Sequence, residues 1–154
     1  MTDVRVTVEM VEPRLLAAVR RRVDLGEVGA SVWPALDYVG AFLRSAPGLR
    51  TDGPNVFLYH HASAGAGQMD VDFGVEVTRS FEPSGEVRAV EVPGGRAAVA
   101  VHVGSYTKLH DTHQALHRWC EGNQLRIGSH SWEIYGDMVE DEAKLETTIV
   151  YLLA

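Results

Sequence analysis

Two stretches of this chain repeat each other at a fixed spacing, and that repeat constrains the fold more than any other feature. Phe57-Leu58-Tyr59 stands 76 residues before Glu133-Ile134-Tyr135, and the same shift carries Leu49-Arg50 onto Leu125-Arg126 and Asp72 onto Thr148. Earlier in each half, the run from Pro13 to Val19 (PRLLAAV) parallels Gly95 to Val101 (GRAAVAV) at a slightly larger shift. The first half carries the longer loop, DLGEVGAS, before its helix, which accounts for the difference. A duplicated unit of this kind calls for two similar halves sharing one core.

Periodicity assigns the elements of the unit. Val4, Val6, Val8 and Met10 alternate with polar residues and predict a strand. Residues 14–23 suit helix or strand by composition, and the parallel with the valine-rich residues 97–103 decides for strand. Ser31 is a candidate N-cap, with Pro34 in the first turn, for a helix to about Ala46 whose inward face is Leu36, Val39, Phe42 and Leu43. Strands are expected at 56–60 and 69–77, joined by a Gly-rich loop at 62–68. The second half repeats the order, with strands at 86–92 and 97–103, a helix at about 107–121, and strands at 131–135 and 145–153. Leu109, Ala115, Leu116 and Trp119 face inward from that helix. The reading is an α+β fold of two β-β-α-β-β repeats, about 3–78 and 86–153, in two layers: one antiparallel sheet carrying two helices on one face. A cleft between pseudo-symmetric halves is a natural pocket.

The chain of 154 residues has the length of one compact domain. Its 45% hydrophobic and 23% charged residues fit a globular core needing no staples. The net charge of −7 argues against nucleic acid as a direct partner, because Arg20, Arg21 and Arg22 form the one dense basic run. A single cysteine, Cys120, excludes an intrachain disulfide and suits a reducing cytoplasm. No leader is legible at the N-terminus and no apolar stretch is long enough to span a membrane. The chain is expected to be cytoplasmic, without cofactor or metal, and a monomer or a homodimer paired through a sheet edge.

Glu133 is the most informative residue. It sits in a strand of otherwise aromatic and aliphatic character, SWEIY. Alternation puts Glu133 and Tyr135 on one face, with Trp132 and Ile134 on the other, and the repeat adds Phe57 and Tyr59 to the first face. A carboxylate on such a floor costs several kcal/mol to desolvate unless paired. A cationic ligand is one partner, with cation–π attraction of about 1–2 kcal/mol from the rings. The plainer alternative is a solvated edge residue, or an ion pair with Arg126. Trp33 and Tyr38 on the first helix are candidates for one cleft wall, with Tyr106 opposite, and each reads equally well as core. His110, His113 and His117 share a helix surface, but without a completing carboxylate or thiol they read as a polar flank. His60-His61 reads as surface, Met138 as a lid, and Glu140-Asp141-Glu142 as a solvated turn.

The second half, through Val92-Pro93-Gly94-Gly95-Arg96, HVGSYTKL, LHRWC, WEIYGD and LETTIVYLL, resembles the GyrI-like small-molecule-binding family. That family includes effector-binding domains of AraC-type and multidrug-responsive MerR-type regulators. The first-half strand MDVDFGVEV is similar to the family's strand before the linker. The resemblance implies a duplicated SHS2 fold and a central acid in a hydrophobic cleft, which falls on Glu133, with Tyr135 as the tyrosine two places on. It also implies a second glutamate in the last strand, where this chain has Thr148, so that Glu146 or Asp72 would have to compensate. The two repeats use up the sequence, and no DNA-binding domain is read from it.

Three functions follow as expectations. The first is binding of small hydrophobic, often cationic or planar molecules in the aromatic cleft, for sensing, sequestration or resistance. The second is hydrolysis of reactive cyclopropane-type natural products, with Glu133 directing water and Tyr135 or Tyr59 donating hydrogen bonds. The third is a protein interaction of the gyrase-inhibitor kind, with DNA gyrase as partner. Binding is favoured, because no nucleophile, base and orienting group assemble from these residues.

Overall fold

The computed structural model describes residues 4–50, 53–137 and 139–154. The order strand, strand, helix, strand, strand occurs twice. The first pass is β1 (Val6–Val11), β2 (Arg14–Asp24), α1 (Gly29–Ser45), β3 (Asn55–Gly65) and β4 (Gln68–Glu76). The second is β5 (Arg88–Val92), β6 (Gly95–Val103), α2 (Leu109–Gly122), β7 (Ile127–Tyr135) and β8 (Glu146–Leu153). Residues 14–23 form a strand, as the internal parallel requires.

All eight strands join one antiparallel sheet in the order β1-β6-β8-β7-β3-β4-β2-β5. The first strand of each repeat has crossed to the other half: β1 pairs with β6, and β5 pairs with β2. Yet only Glu12 and Pro13 join β1 to β2, and only Pro93 and Gly94 join β5 to β6. In a flat sheet six strand spacings of ~4.8 Å would separate each joined pair by roughly 29 Å, whereas three residue steps reach about 11 Å at most. The sheet must therefore curl until its ends meet. A Cβ on Gly94 would stand 2.7 Å from Pro13 Cδ, so the two links pack directly on each other. Curling encloses the face without helices, and Leu16, Val56, Leu58, Val92, Trp132 and Val150 fill it.

On the other face the helices lie over the outer strands. α1 packs through Ala35 and Val39 on Val19, Val71 and Phe73. α2 packs through Leu116 and Cys120 on Ala98, Ala100 and Ile149. The central pair β3 and β7 is left without a helix above it. Its register sets Phe57 opposite Glu133, Val56 opposite Ile134 and Leu58 opposite Trp132. Phe57 and Glu133 are also each other's counterparts in the repeat, so the pseudo-twofold axis passes through that pair.

Several boundaries differ from the sequence reading, and β7 begins at Ile127, ahead of the expected 131. α1 starts at Gly29, with Val28 before it and no side-chain cap, so Ser31 lies within the first turn. The expected loop at 62–68 is mostly strand: β3 and β4 are joined by Ala66 and Gly67, at φ 53° and 76°. Ser63 explains how the polar stretch stays in the hairpin, because its Oγ accepts the Asp70 N–H at 2.8 Å across a bulge. α2 is preceded by a separate 3₁₀ turn, Tyr106–Lys108, capped by the Ser105 side chain.

Candidate functional site

The gap between α1 and α2 is an open cleft of about 1830 Å³ floored by β3 and β7. Alternation along those strands sends Phe57, Tyr59 and His61 from β3, and Ser131, Glu133 and Tyr135 from β7, into the cleft. Glu133 is 4% exposed. Its Oε1 accepts the Tyr59 hydroxyl at 2.7 Å and the Tyr135 hydroxyl at 2.9 Å. Tyr59 and Tyr135 are repeat counterparts, 76 residues apart, so the axis delivers one donor from each half to the same carboxylate oxygen. Glu133 Oε2 lies 2.7 Å from His113 Nε2.

Burial by itself would raise the Glu133 pKa, but the His113 contact and the two tyrosyl donors outweigh it and hold the carboxyl below its ordinary value. The tyrosines move the opposite way. Burial first, and then the charge of Glu133, push Tyr59 and Tyr135 well above the usual phenol range, so both stay protonated donors. Tyr151, 2.6 Å from His113 Nδ1 through its hydroxyl, is raised for the same reasons. Burial, then the neighbouring histidines, lowers His61 to about 4.

Of the residues singled out in the sequence, the structure gathers most. Phe57 lies on the floor, its ring 4.9 Å from Phe73 and 4.7 Å from Tyr135. Trp33 lines the cleft while 71% exposed, and Tyr106 stands edge-on to Tyr135 at 5.4 Å. Tyr38 is not in the cleft. It lies on another side of α1, 53% exposed, with the Arg21 guanidinium 5.8 Å from its ring centre. Glu133 is partnered by His113 and the tyrosines, not by Arg126. Asp72 cannot act as a second acid beside Glu133: it lies on the other face of the sheet, fully buried and bonded twice by Arg20 at 2.9 Å and by His60 at 2.6 Å. Glu146 reaches the cleft lining. Met138 lies outside the described residues.

The histidines correct the sequence reading most. His61, expected at the surface, lines the cleft and bonds Ser131 at 2.7 Å. His110 and His117, both exposed, and the partly buried His113 form a polar flank that lines the cleft. Among the described residues no three His, Cys, Asp or Glu side chains converge in a metal-ligating arrangement. The overlooked signal was the buried stripe Thr112, Leu116 and Cys120, at i, i+4 and i+8, which turns the next flank toward the floor. Leu109 and Trp119, read as inward, do pack against that core, and Thr112 and Cys120 complete the stripe.

A family model described as the GyrI-like small molecule binding domain matches residues 5–152. The crystal structure of the EcmrR C-terminal domain superimposes with a TM-score of 0.81 at 22% identity, covering 98% of each chain. SAV2435, solved bound to tetraphenylphosphonium, gives 0.71 at 12% identity, covering 97% of this chain and 94% of that one. A hydrolase from Listeria innocua gives 0.58 at 14% identity, covering 97% and 92%. These likenesses establish the shared fold. No curated protein matches the sequence.

Proposed function

Because the chain belongs to the GyrI-like small-molecule-binding family, we propose that its 154 residues act as one ligand-binding domain for lipophilic aromatic molecules, cations above all, with Glu133 as the anchoring charge. The observation that carries this reading is a nearly buried carboxylate on the twofold axis, at the floor of an aromatic cleft. A cation entering the cleft meets the field of Glu133 where water is thin and Coulomb attraction is strong. Phe57, Tyr135 and Tyr106 add ring faces and edges, and Trp33 at the mouth offers a flat surface for planar ligands. The cleft exceeds the few hundred to ~1,000 Å³ of ordinary ligand pockets, which suits bulky multi-ring molecules. The ligand carried by SAV2435, a tetrahedral aromatic cation, belongs to this class.

The same geometry weakens the hydrolytic alternative. A carboxylate that already accepts three hydrogen bonds, and is held below its ordinary pKa, is a poor acceptor for a proton from water.

Trp33 supplies the readout, being exposed at the mouth of the cleft. Titration of the wild type with tetraphenylphosphonium should change its tryptophan fluorescence saturably. Glu133→Gln and Glu133→Ala should weaken binding by at least about tenfold, equivalent to ~1.4 kcal/mol. Equal affinity for the wild type and both variants would remove Glu133 as the anchor.

A further inference from the structure

Glu133 does not meet the cleft alone. His113 touches it through Nε2 and touches the Tyr151 hydroxyl through Nδ1, at 2.7 and 2.6 Å. Ser131, the cross-strand partner of Tyr151, has its Oγ 2.7 Å from His61 Nε2. The carboxylate is therefore linked through His113 to Tyr151, drawing on β7, α2 and β8.

This linkage has two self-consistent proton arrangements on the same heavy atoms. With His113 neutral, Tyr151 donates to His113 Nδ1 and His113 Nε2–H donates to the carboxylate. With His113 protonated, Nδ1–H donates to the Tyr151 oxygen and Nε2–H still donates to the carboxylate. The two differ by one proton.

We propose that His113 sets the charge class of the ligand: with its ring neutral the cleft carries the charge of Glu133 and takes a lipophilic cation, and with its ring protonated the pair is neutral and takes an uncharged aromatic, so that capturing a cation releases a proton. The inference rests on the cleft being the ligand site. In the neutral-ring form Glu133 is an uncompensated charge that a monocation completes. In the protonated form a monocation would add a second positive charge beside His113, and repulsion selects against it.

The groups facing His113 support this assignment. They are Glu133 and Tyr135 from β7, Tyr59 and His61 from β3, Tyr151 from β8, Tyr106 from the 3₁₀ turn, and His110 and His117 from its own helix. Burial lowers both His61 and His117, and Tyr59, Tyr135 and Tyr151 are raised, so none of these five side chains carries charge near neutrality. His113 is the ring that touches the carboxylate directly. On entry of a cation the His113 Nδ1 proton is lost to water, and the Tyr151 hydroxyl turns to donate to the freed Nδ1. One positive charge arrives and one departs.

Calorimetric titration of the full chain tests this, using tetraphenylphosphonium and the uncharged triphenylphosphine oxide between about pH 5.5 and 8.5, in two buffers of different ionisation enthalpy. Cation affinity should rise with pH, by up to about tenfold per unit where the unliganded pair carries the proton. The heat of cation binding should depend on the buffer there, reporting up to about one proton released. Triphenylphosphine oxide affinity should not rise with pH, and its binding should release no proton. His113→Gln should flatten the pH dependence of the cation and abolish the buffer-dependent heat, with His113→Asn as the second variant should the first not fold. A slope that persists in the folded variants, or a wild-type heat that ignores the buffer, overturns the inference while leaving the cleft as a binding site. Failure of both probes to bind the wild type overturns the cleft reading and this inference with it.

Discussion

At the scale of single residues, Glu133 tolerates burial because its two oxygens are shared among three donors. Removing one donor should be felt in stability. Tyr59→Phe deletes a hydrogen bond to a charged, buried acceptor and should cost about 1.5–3 kcal/mol in urea unfolding at neutral pH. The acid limb of stability should change as well. A carboxyl depressed in the folded state contributes stability that is complete above its unfolded value, here 4.5, and is lost as the pH falls through the lower folded value. Wild-type unfolding should therefore lose free energy below about pH 4.5, and Tyr59→Phe should lose less over that range, because its folded carboxyl sits higher. Glu133 was legible in the sequence because a charge in an aromatic strand has few innocuous explanations. His113 was not, since a histidine beside an amphipathic stripe looks the same whether the flank faces solvent or a cleft. Tyr38 was misplaced for the same reason: spacing on a helix gives a direction around the axis but not what waits there.

At the scale of elements, the strands were readable and the turns less so. Alternation or apolar composition marked the strands, β7 only from residue 131 onward, and the internal parallel decided β2 where composition was neutral. The stretch from Ala62 to Gln68 read as a loop because small and polar residues mark loops in general. Here the Ser63 side chain and the Arg22 guanidinium, which donates to the Ser63 carbonyl at 2.9 Å, supply local bonds that keep the hairpin extended. The turn itself, Ala66-Gly67, holds both residues at positive φ, a conformation costing a residue such as alanine about 1–2 kcal/mol. Ala66→Asn should relieve part of that cost and stabilise the chain by about 0.5–1 kcal/mol, raising the thermal midpoint without altering ligand affinity. A neutral or lower midpoint would mean that the turn is not strained as its dihedrals indicate.

At the scale of the molecule, duplication does more than double a motif. Each repeat lends its first strand to the other half, the sheet curls to bring the exchanged strands home, and the axis of the arrangement runs through Phe57 and Glu133. The repeat was visible in the sequence; the exchange was not, because strand pairing between halves leaves no mark on periodicity within a half. Neither half should fold alone. Residues 1–80 and 84–154 expressed separately should give unfolded circular dichroism spectra, and mixing them should restore strand signal. Independent folding of either half would show that the exchanged strands are dispensable.

The axis also places a single carboxylate where two equivalent positions meet, Phe57 in one half and Glu133 in the other, so the cleft is symmetric in shape and asymmetric in charge. The most direct test of that account is the ratio of affinities for tetraphenylphosphonium and triphenylphosphine oxide at about pH 8, in the wild type and in Glu133→Gln. The wild type should prefer the cation by about tenfold or more, and Glu133→Gln should bring the two within about threefold. A preference unchanged by the substitution would place the selecting charge elsewhere.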